Sequence, residues 1–191
     1  MRMFVIAFVL ALFATPVQAD GELDSLLSAF DKDRLARFEE TSAEALNEAR
    51  NNGVASDAAL LDRLLKGEPL PVEGHFDPTG TWRCRTIKAG GILPLTVYPT
   101  FKCVIADDGA GWFLKKVTGS QRTEGRFYTE SATRLVYVGA SYVAGEKPRR
   151  YGQDPKDDQV AIVERRAENR LVFLFPAPQY ESKLDILVLE R

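Results

Sequence analysis

Near residue 70 the apolar residues of this chain stop recurring at helical steps and begin to alternate, and the alternation persists to the C-terminal end. That change decides the fold class. Before it, Leu23, Leu26, Leu27 and Phe30 recur at three- and four-residue steps, which is one face of a helix. Asp31 and Asp33 offer N-cap oxygens for a second segment that carries Leu35, Phe38, Ala45, Leu46 and Ala49 and ends at Asn51-Asn52-Gly53. Thr41 and Glu44 have capping-box spacing, which predicts a break there. Ser56 caps a third segment, whose face is Leu60, Leu61, Leu64 and Leu65 and whose end is set by Gly67, Pro69 and Pro71. Short amphipathic helices cannot bury their stripes alone, so these must pack on one another and on the alternating region.

From residue 78 the period is two. Strands are predicted at Thr81 to Lys88, Leu93 to Tyr98, Phe101 to Ala106, Trp112 to Thr118, Arg122 to Tyr128, Arg134 to Val138, Val160 to Arg165, Leu171 to Phe175 and Leu184 to Leu189. Turn residues punctuate them, among them Asp107-Asp108-Gly109, Gly119-Ser120 and Glu168-Asn169. Many short strands without intervening helices specify an antiparallel sheet. Closure removes its unpaired edges, which favours a small barrel over the alternative, a β-sandwich. The predicted class is α+β, with a helical segment over residues 20–70 and a barrel over 71–191.

Residues 1–19 read as a secretory signal peptide. Arg2 precedes an apolar run from Phe4 to Phe13, Pro16 breaks it, and Val17-Gln18-Ala19 offers small residues for cleavage after Ala19. The run is about ten residues and a membrane span needs about twenty, so no span is expected after cleavage. The protein is therefore expected to be periplasmic or secreted.

An oxidising compartment gives the two cysteines one natural role, a disulfide. A metal site would need more donors than the single histidine and one pair of cysteines provide. In the first strand Trp82, Cys84 and Thr86 share a face, while Arg83 and Arg85 point the other way. Phe101, Cys103 and Ile105 share a face of the third candidate strand. With the cysteines opposed, Trp82 falls opposite Ile105 and Thr86 opposite Phe101, so the disulfide and hydrophobic registers agree. Trp82 is then a structural core residue.

The chain carries a formal net charge of −2, which is not the footprint of a nucleic-acid binder. Serine hydrolysis needs a base beside the nucleophile, and the only histidine, His75, lies in the Pro- and Gly-rich linker Glu73-Gly74-His75-Phe76-Asp77-Pro78. Asp154-Pro155-Lys156-Asp157-Asp158 lacks the spacing of an EF-hand and reads as a solvated acidic loop. The charged segment from Gly145 to Asp158 is expected to be long, mobile and able to cover one barrel mouth. Nothing in these patterns calls for a cofactor.

Gly80-Thr81-Trp82 resembles the Gly-x-Trp that opens the first strand of lipocalins and related small barrels. A wider resemblance runs from about Asp31 to Leu189 and rests on several blocks together. They are Trp82-Arg83-Cys84-Arg85-Thr86-Ile87-Lys88, Phe101-Lys102-Cys103, Thr118-Gly119-Ser120-Gln121-Arg122, Leu135-Val136-Tyr137-Val138-Gly139-Ala140, Tyr151-Gly152 and Glu181-Ser182-Lys183-Leu184-Asp185. These blocks resemble an exported bacterial family known only as domain of unknown function 4893. That resemblance implies a shared fold and an envelope location, and it brings no activity.

The candidate site residues are Arg85, Ser120, Gln121, Arg122 and Tyr151, joined by Arg126. Their hydroxyl, amide and guanidinium donors suit an anion or a polar ligand. The expected function is a non-enzymatic binding or inhibitor-like barrel that engages an envelope protein or a small polar or anionic ligand. The alternatives are an envelope hydrolase using carboxylates or Ser120, and a structural envelope component. A concave, acid-lined cleft favours the hydrolase; a filled interior with an exposed apolar patch favours the binder.

Overall fold

The computed structural model describes residues 20–191, so the leader expected at 1–19 lies outside the described residues. Four helices come first: α1 (Asp20–Leu26), α2 (Ala29–Ala36), α3 (Phe38–Asn52) and α4 (Ala55–Leu65). Eight strands succeed them, β1 (Gly80–Gly91), β2 (Leu95–Asp107), β3 (Trp112–Lys116), β4 (Gln121–Thr129), β5 (Arg134–Val143), β6 (Asp158–Ala167), β7 (Arg170–Pro176) and β8 (Ser182–Glu190). They pair antiparallel in chain order and close β8 onto β1, a barrel with no open edge.

Helix boundaries differ from the sequence expectation where local capping groups compete. Ser28, not Asp31 or Asp33, caps α2. Its hydroxyl oxygen accepts the Asp31 N–H at 3.1 Å and donates to Asp31 Oδ2 at 2.6 Å. α3 runs unbroken through Thr41 and Glu44, since Ser42, Ala45 and Ala49 are held against the barrel. Ser56 lies inside α4, whose N-cap is Val54.

Two of the nine predicted strands are one. β2 continues through Pro99 because the ladder to β1 is irregular there, between the pairs Arg85↔Thr100 and Ile87↔Val97. A proline has no N–H to give and is accommodated at such a bulge. The cysteines are bonded, with Cα atoms 5.8 Å apart, but they are not directly opposed. Trp82 faces Cys103 and Cys84 faces Phe101, two residues away from the expected register. A two-residue slip returns every side chain to the same face, so the alternation pattern fits both registers equally well.

The sheet is buried on both sides. Inside, Trp82, Ile105, Leu114, Tyr137, Leu171 and Phe173 form one core. Aromatic rings pack edge-on across it, Phe173 lying 5.7 Å from Tyr137 and 5.5 Å from Phe127. Space for the Tyr137 ring comes from the facing pair Gly125 and Gly139, since a Cβ on Gly125 would stand 2.8 Å from Tyr137 Cζ. Outside, Phe38, Ala45, Ala49, Leu61 and Leu64 of the helices cover Ile87, Ile162, Val172, Ile186 and Val188. The helices therefore pack on the outer wall, and β7 is buried from Leu171 to Pro176 without alternation.

One end of the barrel is plugged. The linker after α4 crosses beneath it, placing Val72 in the inner core and Phe76 edge-on to Trp112 at 5.6 Å. Trp82 Nε1 donates to Pro78 O at 2.8 Å, and the Arg191 guanidinium lies over the Trp82 ring at 4.1 Å. The other end receives the β1–β2, β3–β4, β5–β6 and β7–β8 connections.

Candidate functional site

The inward side chains change character toward that second end. On β1 the inner row runs Trp82, Cys84, Thr86 and then Lys88; on β3 Leu114 is followed by Lys116. On β8 the row Leu189, Leu187 ends at Asp185, which stands directly across the ladder from Lys88. Thr123, Ser141 and Gln159 complete a polar layer from β4, β5 and β6. Above the aromatic core the barrel opens into a mouth cavity of about 350 Å³. An inner recess of about 60 Å³ adjoins it. The two share Gln121, Ser141, Gln159, Phe175 and Asp185 as walls. Together they suit a small molecule.

Lys116 is the unusual group in this layer. It is only 6% exposed, yet its ammonium meets just the Thr86 hydroxyl at 3.4 Å and the Phe101 ring at 4.4 Å, and among the described residues no carboxylate pairs with it. Burial, reinforced by the positive fields of Arg122 and Lys88 and only partly opposed by that of Asp185, pulls its pKa down to about 8. Lys88 takes the opposite course. Burial lowers it, but the hydrogen bond to Glu181 and the fields of Asp185 and Glu181 prevail and leave it above the ordinary lysine value. Asp185 accepts the Ser182 hydroxyl at 2.5 Å, and burial raises its pKa despite the nearby Lys88.

Of the residues predicted from sequence, Arg122 and Gln121 reach the recess and the others lie elsewhere. Arg122 Nη1 reaches Lys116 O at 3.5 Å, and its buried Nε has no hydrogen-bond acceptor among the described residues. β3 pairs with β4 only as far as Lys115↔Glu124, and Arg122 fills the gap beyond. Gln121 lines both cavities. Ser120 is exposed in the turn, where its carbonyl accepts the Ala144 N–H at 2.7 Å. Arg85 points outward and donates to Tyr98 O at 2.8 Å. Arg126 also faces outward, bridged to Asp108 at 2.6 Å. Tyr151 anchors α2. Its hydroxyl donates to Asp31 Oδ2 and accepts the Ser28 N–H at 2.9 Å.

Sequence reasoning missed Lys88, Lys116 and Asp185. Their signal was a charge at the end of an otherwise apolar inner row, visible once Trp82, Cys84 and Thr86 are placed on one face. The charged β5–β6 segment does border the mouth through Arg149, Lys156 and Asp157. It is internally bonded, with Arg149 paired to Asp157 and Gly152 N–H donating to Asp158 Oδ1 at 2.8 Å. His75 is exposed in the linker at the plugged end, and Ser120 lies at the mouth end.

Fold and site together define a helix-faced, disulfide-linked antiparallel barrel, plugged at one end and carrying a cationic recess at the other. The chain belongs to the family described as Domain of unknown function (DUF4893), whose model matches residues 25–189. No curated protein and no solved structure matches it.

Proposed function

We propose that this protein is an exported binding module whose barrel mouth takes a small anionic ligand. The observation that carries the reading is Lys116, a buried cation lining an open recess and paired with no carboxylate among the described residues. Burying a charge without a partner is costly, and a bound anion would remove that cost. Arg122, whose buried Nε has no acceptor among the described residues, adds a second cation to the same wall. The Cys84–Cys103 bond supports an oxidising compartment, periplasmic or extracellular.

The acids around the mouth favour binding over carboxylate hydrolysis. The mouth is lined by Glu146, Asp157, Asp158, Glu181 and Asp185. Glu181 is ion-paired with Lys88, Glu146 and Asp157 with Arg149, and Asp158 accepts the Gly152 N–H. That leaves Asp185, which among the described residues accepts only the Ser182 hydroxyl, where a carboxylate hydrolase needs two free acids. A second reading, docking of an envelope protein, is favoured by exposed apolar residues at the same end: Ile92 (78%), Leu93, Val143 and Tyr180.

Thermal unfolding in the presence of acetate, pyruvate, succinate or phosphate tests the first reading. At least one of these anions raises the melting temperature of the wild type and leaves Lys116→Met unmoved. Equal responses in the two proteins, including no response in either, would overturn it. The Lys116 charge is lost as pH rises through about 8, so the anion effect fades above that pH. Bound anion stabilises the ammonium and moves the fade upward.

A further inference from the structure

We propose that Lys116 captures the carbonyl group of a small 2-oxo acid as an imine, making the mouth a covalent as well as an electrostatic trap. The proposal rests on the reading of the mouth as an anion site and specifies its chemistry. Imine formation asks four things of a site, and the recess offers each. It needs an amine free of a carboxylate partner, and among the described residues the Lys116 ammonium touches the Thr86 hydroxyl and the Phe101 face and pairs with no carboxylate. It needs room at the nitrogen, and Lys116 forms part of the wall of the recess that opens into the mouth. It needs a cation for the ligand's own carboxylate, and the Arg122 guanidinium, whose Nε has no acceptor among the described residues, belongs to the same wall. Finally it needs an acid to protonate the departing oxygen. Asp185 lines both cavities, and burial keeps its proton to higher pH than an ordinary aspartate.

The step balances without a redox partner. The neutral Lys116 amine adds its lone pair to the carbonyl carbon, forming a C–N bond and placing negative charge on oxygen. A proton moves from nitrogen to that oxygen, giving the carbinolamine. Asp185 donates a second proton to the hydroxyl, the C–O bond breaks, and water leaves with the formation of the C=N bond. The resulting iminium returns its proton to Asp185. Amine and carbonyl become imine and water. The neutral fraction of an amine titrating near 8 exceeds that of an ordinary lysine by about 200-fold at pH 7, so Lys116 should outpace the exposed lysines.

The test is reductive trapping of the intact wild-type protein with pyruvate and cyanoborohydride at pH 7, followed by peptide mass mapping. The expected product is a single N-(1-carboxyethyl) group on Lys116, formed about a hundredfold faster than on any other lysine and slowed by lactate, which has the same charge but no carbonyl. Lys116→Arg keeps the positive charge without a nucleophilic amine; it should retain stabilisation by pyruvate and lose the adduct. Labelling spread evenly over the lysines, or absent from Lys116, overturns the proposal. If pyruvate still raises the wild-type melting temperature in that case, the imine fails while the anion site stands. If none of acetate, pyruvate, succinate and phosphate raises it, both fail.

Discussion

Lys116 shows how one side chain can cost stability and still be placed with care. A lysine whose pKa falls on folding is penalised in its charged form. The penalty is fully present below about pH 8 and relaxes as pH rises toward the ordinary lysine value, because the unfolded chain then holds more protons than the folded one. Replacing Lys116 by Met should therefore stabilise the unligated protein at pH 7 by about 1–3 kcal/mol, and the gain should shrink by pH 10. Urea midpoints of the two proteins at both pH values check the sign. The disulfide acts in the other direction. Changing Cys84 and Cys103 together to Ser should cost about 3 kcal/mol, read from the same midpoints. That the cysteines lie on one face was legible in the alternation, whereas the two-residue offset in pairing was not, because alternation repeats every two residues.

At the scale of elements, the attachment of α2 depends on a compact polar knot. Arg34 and Asp31 are both buried and 2.5 Å apart, and Arg34 Nη2 also donates to Asp158 O at 3.0 Å. Tyr151 reaches the same carboxylate from the β5–β6 segment. Arg34→Met leaves Asp31 buried without its counter-charge and should cost about 3–5 kcal/mol, the usual penalty for half of a buried pair. Urea unfolding measures it. Tyr151→Phe, which loses only hydrogen bonds, should cost about 1–2 kcal/mol. The sequence marked helices and strands correctly in kind and erred at joints. Ser28 beat Asp31 to the cap because its hydroxyl can both accept and donate, and β2 absorbed Pro99 through an irregular ladder no local signal announces.

The whole molecule is a double-walled sheet segment more than a barrel with an appendage. Ala45 and Ala49 let α3 approach closely, and the outer faces of β1 and β5–β8 are as apolar as the inner ones. Helices and barrel should therefore unfold together: the far-ultraviolet helical signal and the fluorescence of Trp82 and Trp112, which both belong to the barrel, should share one midpoint. The sequence held this information in the unbroken apolar runs Leu171 to Phe175 and Ile186 to Leu189, which a one-faced sheet does not need. It held the site too, as charges terminating inward rows. Arg122 and Gln121, which line the recess, were singled out because polar turns draw notice; Lys116 was hidden because it follows Lys115 and a lysine in a strand ordinarily faces solvent.

If Lys116 is a buried, carboxylate-free cation awaiting an anion, its own titration must report it. In protein labelled with carbon-13 at the lysine Cε, the resonance lost in Lys116→Arg should titrate near pH 8 in the free protein and at higher pH with saturating pyruvate. A midpoint at the ordinary lysine value of about 10.4, unmoved by the anion, would refute that assignment.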